Sequence, residues 1–162
     1  MIFKEICRMN IKKNLKTLIP AILIPLAAGG LSALLSGGFD SYEKAPRPPL
    51  SPPAVLFPIV WTILYILMGI SAWLVERDTT EKKPLVIYYI QLAVNALWSI
   101  IFFRFEMYLA AAIWLGLLIV WIIFMMTEFA AVNRKAALLQ LPYLIWCLFA
   151  LYLNIGVYLL SR

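Results

Sequence analysis

Residues Met107–Thr127 read MYLAAAIWLGLLIVWIIFMMT, 21 positions without one charged side chain. Wound as an α-helix at about 1.5 Å per residue, the run is about 30 Å long, the thickness of a bilayer's hydrocarbon core. Lipid offers the backbone no water to bond, so such a run is stable only as a helix that satisfies its own N–H and C=O groups. Four more apolar runs flank it, at Leu18–Leu35, Ala54–Val75, Pro84–Phe103 and Ala136–Leu160. None alternates as a barrel strand does. With 64% hydrophobic and 14% charged residues in a chain of 162, and short connections throughout, no room is left for a soluble domain. The expected fold is all-α: a polytopic membrane protein in which residues 1–162 form a single bundle of five transmembrane helices. The first run follows a basic leader, as a signal peptide does. It is longer than a typical signal core and four spans follow it, so it is read as a retained helix.

The net charge of +6 is explained by where the cations lie. Lys4, Arg8, Lys12, Lys13 and Lys16 precede span one, Arg77, Lys82 and Lys83 follow span two, and Arg134 and Lys135 follow span four. These ten share one side of the membrane, whereas Lys44, Arg47, Arg104 and Arg162 fall on the other. The positive-inside rule places the N-terminus in the cytoplasm and the C-terminus outside. Juxtamembrane lysines and arginines meet anionic lipid, so no nucleic-acid partner is needed to account for the basicity. Cys7 and Cys147, one in the basic leader and one mid-span, suggest neither a disulfide nor a metal site, and the chain has no histidine.

The longest segment read as non-helical, residues 37–53, is GGFDSYEKAPRPPLSPP and holds five of the ten prolines. Proline fixes φ and disfavours helix in the residue before it, so this loop is expected to be extended and stiff. It serves either as a lid over the bundle's mouth or as a connector. Pro52 and Pro53 suit the first turn of the second helix. Small residues at every fourth position, Gly29, Ala33 and Gly37 in span one and Ala112 and Gly116 in span four, permit close helix approach, within one bundle or across a dimer.

Polar and aromatic residues inside the spans carry the functional reading, since such groups at membrane depth are costly without partners. Spacings of three or four collect them on helix faces. Phe57, Trp61, Tyr65 and Gly69 share a face of span two; Gln91, Asn95, Trp98 and Phe102 share one of span three; Pro142, Trp146, Ala150 and Asn154 share one of span five. An indole supplies a broad π surface and one N–H, and an amide supplies donor and acceptor. Together they suit a flat apolar ligand with a few polar groups. The same residues also serve as interfacial belt, core packing or interhelical glue, and both readings stand at this point. Trp73, Trp114, Tyr88 and Tyr89 need no role beyond the belt. No histidine base or paired carboxylate lies within a span, which leaves no conventional acid–base dyad.

Three strings, in constant order and spacing, carry a resemblance: PPLSPPAVLFPIVWTILYILMG at Pro48–Gly69, QLAVNALWSIIFF at Gln91–Phe103 and LPYLIWCLFALYLN at Leu141–Asn154. They resemble the TspO/MBR family, the tryptophan-rich sensory proteins related to the mitochondrial translocator protein. The resemblance implies a five-helix bundle that often dimerises and binds protoporphyrin IX-type tetrapyrroles, in some members sterols or benzodiazepine-type drugs, beneath the loop joining helices one and two. Such a tetrapyrrole is ligand or substrate; no cofactor is required and no metal is implied. By position, Trp61 and Trp146 match pocket tryptophans implicated in light-dependent porphyrin breakdown, Asn95 a pocket amide, Tyr42 a loop tyrosine near the ligand, and Ala150 a small-residue position that affects binding. Ser41 stands where some relatives have tryptophan, and the tail Val157–Arg162 only loosely echoes a sterol-binding pattern. The expected ligand-binding set is Tyr42, Trp61, Tyr65, Asn95, Trp98, Trp146 and Ala150, with Trp61 and Trp146 catalytic if the pigment is degraded. The expected function is tetrapyrrole binding in porphyrin homeostasis or stress sensing, with photo-oxidative degradation or porphyrin or sterol transport as alternatives, in a bacterial cell membrane.

Overall fold

The structure, a computed structural model, describes the backbone of residues 2–37 and 46–162 and the side chains of residues 16–37 and 46–162. The described residues contain helices α1 (Ile2–Leu35), α2 (Leu56–Asp78), α3 (Lys83–Ser99), α4 (Tyr108–Val132), α5 (Arg134–Leu138) and α6 (Leu141–Leu160), and no strand. A π-helical segment, Ile100–Arg104, extends α3. Among the described residues, five stretches are long and apolar enough to cross a membrane: Lys16–Leu35, Leu56–Asp78, Lys83–Arg104, Tyr108–Val132 and Arg134–Leu160. The all-α, five-span architecture read from the sequence is the one the chain adopts.

The helices meet where side chains are smallest. A Cβ on Gly69 of α2 would lie 2.6 Å from both the Ala21 carbonyl oxygen and Ile22 Cα, so α1 and α2 touch backbone to backbone there. Pro25 sits four residues beyond Ala21 and has no N–H to offer that carbonyl, a gap that membrane helices tolerate when a neighbour packs on it. Gly29 fits against the Tyr65 ring, so its place in the small-residue stripe serves packing within the bundle. Gly116 is different: nothing lies within 4 Å of its added Cβ.

Polar side chains tie the spans across the core. The Trp114 and Trp121 indoles of α4 donate to the Val94 and Ile87 carbonyls of α3 at 2.9 and 3.1 Å. Trp114 is thus a cross-helix tie, and Tyr88 is 1% exposed in the core, so each has a packing role within the bundle. The Ser71 hydroxyl donates to the Ala136 carbonyl at 2.7 Å, fixing the short α5 against α2.

Span five is broken. Asn133 caps α5 by accepting from the Lys135 and Ala136 amides, and turn residues 139 and 140 separate α5 from α6. Pro142 lies in the first turn of α6, where a missing N–H does no harm. Pro52 and Pro53, by contrast, precede the helix whose first turn they suit: α2 starts at Leu56, after a turn in which Leu56 N donates to the Pro53 carbonyl at 3.0 Å. The described half of the proline-rich loop leans on α6. The Tyr152 hydroxyl donates to the Pro49 carbonyl at 2.9 Å, and a Cβ on Gly156 would lie 2.5 Å from Pro48 Cβ.

Candidate functional site

A cavity of about 240 Å³ opens between α1, α2 and the end of α3. Its floor and one wall are aromatic: Phe57, Trp61 and Tyr65 from α2, Trp98 from α3, and Phe103 from the π segment. The other wall is α1, where Gly30 and Ala33 leave open space and Gly29 lets the Tyr65 ring pack against the helix. Its side toward the membrane is bordered by the exposed Pro58, Thr62 and Gly30.

Helical spacing explains the aromatic wall. Positions 57, 61 and 65 fall on one face of α2, which turns from half-buried at Phe57 and Trp61 to buried at Tyr65. The Trp61 and Tyr65 rings stack, with centroids 5.4 Å apart and an interplanar angle of 29°. The Tyr65 hydroxyl accepts from Asn95 Nδ2 at 3.1 Å, which fixes the phenol and places an amide directly behind it. Asn95 Oδ1 is buried with no partner among the described residues. A buried amide acceptor left unpaired costs about 1–3 kcal/mol, so a donor supplied to this corner is favoured.

The π segment also shapes this end of the bundle. Its wider turn is closed by the Phe105 amide, which donates to the Ile100 carbonyl at 3.2 Å, and it brings two adjacent rings, Phe102 and Phe103, together. Phe103 faces the main cavity, while both line a smaller one. π-Bulges of this kind frequently occur beside functional sites. Arg104 closes the segment by donating to the Leu35 carbonyl at 3.1 Å, satisfying the C-terminus of α1.

The expected site residues thus divide into groups. Trp61, Tyr65 and Trp98 line the cavity, and Asn95 stands one hydrogen bond behind it. Trp98 also ties helices together. Its indole donates to Asn154 Oδ1 at 3.3 Å, while Asn154 Nδ2 donates to the Tyr108 carbonyl at 2.9 Å. Asn154 is therefore a structural amide. Trp146 does not border the main cavity. Its ring meets Phe57 edge-on at 5.8 Å, and its indole N–H is buried without a partner among the described residues. Ala150 lines the smaller cavity with Phe57, Trp98 and loop residues Pro46, Arg47 and Pro48. Phe57 borders both spaces and stands between the two groups. Tyr42 and Ser41 lie outside the described residues.

Sequence reading passes over Tyr143. This residue is 1% exposed, accepts from Gln91 Nε2, and meets the Trp61 ring at 6.2 Å. The buried face of α6 runs through Tyr143, Cys147, Ala150 and Asn154, while Pro142 is exposed. A stripe drawn through Tyr143 and Cys147 at the same spacing would have found it. Among the described residues no cluster of three or more His, Cys, Asp or Glu is placed to hold a metal.

Comparison with known proteins agrees with the fold and extends over most of the chain. The model of the TspO/MBR family matches residues 21–160. The chain is 36% identical over 151 residues to the tryptophan-rich protein TspO of Chlorobaculum tepidum, covering 90% of this chain and 96% of that one. It is 35% identical over 138 residues to the protein CrtK of Rhodobacter capsulatus, covering 83% and 86%. To the translocator protein of Ovis aries it is 31% identical over 148 residues, covering 84% and 86%. Five membrane-spanning helices, an aromatic cavity between the first three of them and these matches lead to one conclusion: the chain is an integral membrane protein that belongs to the TspO/MBR family.

Proposed function

We propose that the protein binds a flat, largely apolar tetrapyrrole of the protoporphyrin IX class in the cavity between α1, α2 and α3, and serves in porphyrin homeostasis or stress sensing. The observation that carries this reading is the wall of Trp61, Tyr65, Trp98 and Phe103, backed by the Asn95 amide. Broad rings stack on a macrocycle's faces, and the Asn95 amide, by donating to the Tyr65 hydroxyl, holds one of those rings in place. Sterols and benzodiazepine-type compounds share the apolar bulk that this wall receives. Small-molecule sites commonly measure about 300–1,000 Å³. The cavity's volume of about 240 Å³ lies below that range, so a macrocycle extends past Pro58 and Thr62 or widens the gap between α1 and α2. The protein sits in a bacterial cell membrane with its N-terminus in the cytoplasm, as the charge distribution favours, and forms a homodimer.

One observation favours a second activity. Trp61 and Tyr65, two oxidisable rings, stack against each other in the cavity wall. An indole there is placed to give an electron to an excited pigment, with dioxygen as the terminal oxidant, so light-dependent porphyrin breakdown is the enzymatic form of the same site. The test is to titrate the purified protein with protoporphyrin in the dark and then illuminate in air. Saturable dark binding supports the binding role, and no saturable binding overturns it. Loss of the pigment's absorption bands under light, abolished by Trp61→Phe, supports breakdown. Bands that persist, or turnover that survives the substitution, remove Trp61 as donor.

A further inference from the structure

At the end of the bundle that carries Arg134 and Lys135, α4 and span five part to leave a groove of about 420 Å³. Its α4 wall is Ile123, Met126, Thr127 and Ala130, one helix face by spacing. The facing wall comes from the broken stretch of span five, where the turn at residues 139 and 140 separates Ala137 and Leu138 from Leu144. Within the groove the Thr127 hydroxyl already donates to the Phe124 carbonyl at 2.7 Å, so the walls present an apolar surface to whatever lies there.

The exception is Arg134, at the mouth. It is exposed, and neighbouring carboxylates are engaged elsewhere: Glu128 with Lys83 at 2.7 Å, and Asp78 with Arg77 at 2.7 Å and with Asn133. Arg134 and the adjacent Lys135 make no ion pair among the described residues. Both stand where spans four and five reach the membrane surface, and the groove runs from them to Ile123 and Leu144 within those spans.

We propose that this groove binds an anionic glycerophospholipid, its headgroup phosphate on the Arg134 guanidinium and one acyl chain lying between α4 and span five. Charge complementarity selects the anion, since a guanidinium pairs with phosphate through paired N–H donors. Depth selects the lipid. An apolar slot opening sideways within the bilayer is reached by an acyl chain and not by a soluble anion. The volume lies in the range of small-molecule sites, about 300–1,000 Å³. The site is separate from the aromatic cavity, and none of its lining residues belongs to that cavity's wall.

The test uses the delipidated full-length protein in detergent and native mass spectrometry. Phosphatidylglycerol is compared with phosphatidylcholine of the same chains, and glycerol 3-phosphate is added as competitor. A juxtamembrane cation contributes about 1 kcal/mol near an anionic surface. Arg134→Gln is therefore expected to weaken retention of one phosphatidylglycerol per chain about fivefold, with Lys82→Gln, at the same end but outside the groove, leaving it unchanged. Ala130→Phe, which fills the groove, is expected to abolish the stoichiometric adduct. A thermal melt establishes that each variant is folded, and Ala130→Leu replaces any that is not. Equal retention of both lipids, equal loss in Lys82→Gln, or displacement by glycerol 3-phosphate would each overturn the proposal.

Discussion

Tyr65 shows how one side chain couples packing to the candidate site. Its ring fills the space that Gly29 leaves, stacks on Trp61 and accepts from Asn95. Removing only the hydroxyl, in Tyr65→Phe, leaves the rings in place but deprives Asn95 Nδ2 of its acceptor. A thermal melt should then show a loss of about 1–3 kcal/mol, the cost of an unpaired buried amide. An unchanged melt would mean that the amide is satisfied some other way. Gly29→Ala acts from the opposite wall. Its Cβ collides with the Tyr65 ring, which must swing toward the cavity, so protoporphyrin affinity should fall in a dark titration. Equal affinity would show that the ring has another place to go.

Helix by helix, the sequence is most legible where one period governs. Spacing alone puts Asn95, Trp98 and Phe102 on one face of span three, and the structure buries all three. Span five is less legible because two adjacent stripes of α6 share Ala150 and Asn154 on the buried face. Its first turns decide between them: Tyr143 and Cys147 are buried, whereas Pro142 is exposed and Trp146 half-buried. The π segment is equally hidden, since no residue type marks a wider turn, yet it aims Phe103 at the cavity. Close approach can be tested at the same scale. Gly69→Ala drives a Cβ into the α1 backbone and should cost about 1–3 kcal/mol, whereas Gly116→Ala, with open space around it, should cost nothing. Trp98 and Asn154 bridge α3 and α6. A double-mutant cycle of Trp98→Phe and Asn154→Leu should give a coupling of about 0.6 kcal/mol, the average for membrane hydrogen bonds. Strict additivity would mean that the bond contributes nothing.

For the whole molecule, hydropathy and charge suffice to establish the five-helix bundle, because lipid admits so few folds. Which of the deep aromatics share one cavity is not legible, since that depends on how helices face each other. Trp61 and Trp146 look equivalent in sequence, each deep in a matching motif. The structure separates them: Trp61 lines the main cavity, and Trp146 lies behind Phe57. That difference gives the most direct test of the proposed site, a dark titration of protoporphyrin into the wild type, Trp61→Ala and Trp146→Ala. Burying an aromatic ring contributes about 1.5–3 kcal/mol, so Trp61→Ala should weaken binding at least tenfold, and Trp146→Ala severalfold less than that. Full affinity in Trp61→Ala together with loss in Trp146→Ala would place the ligand against α6 and contradict the account.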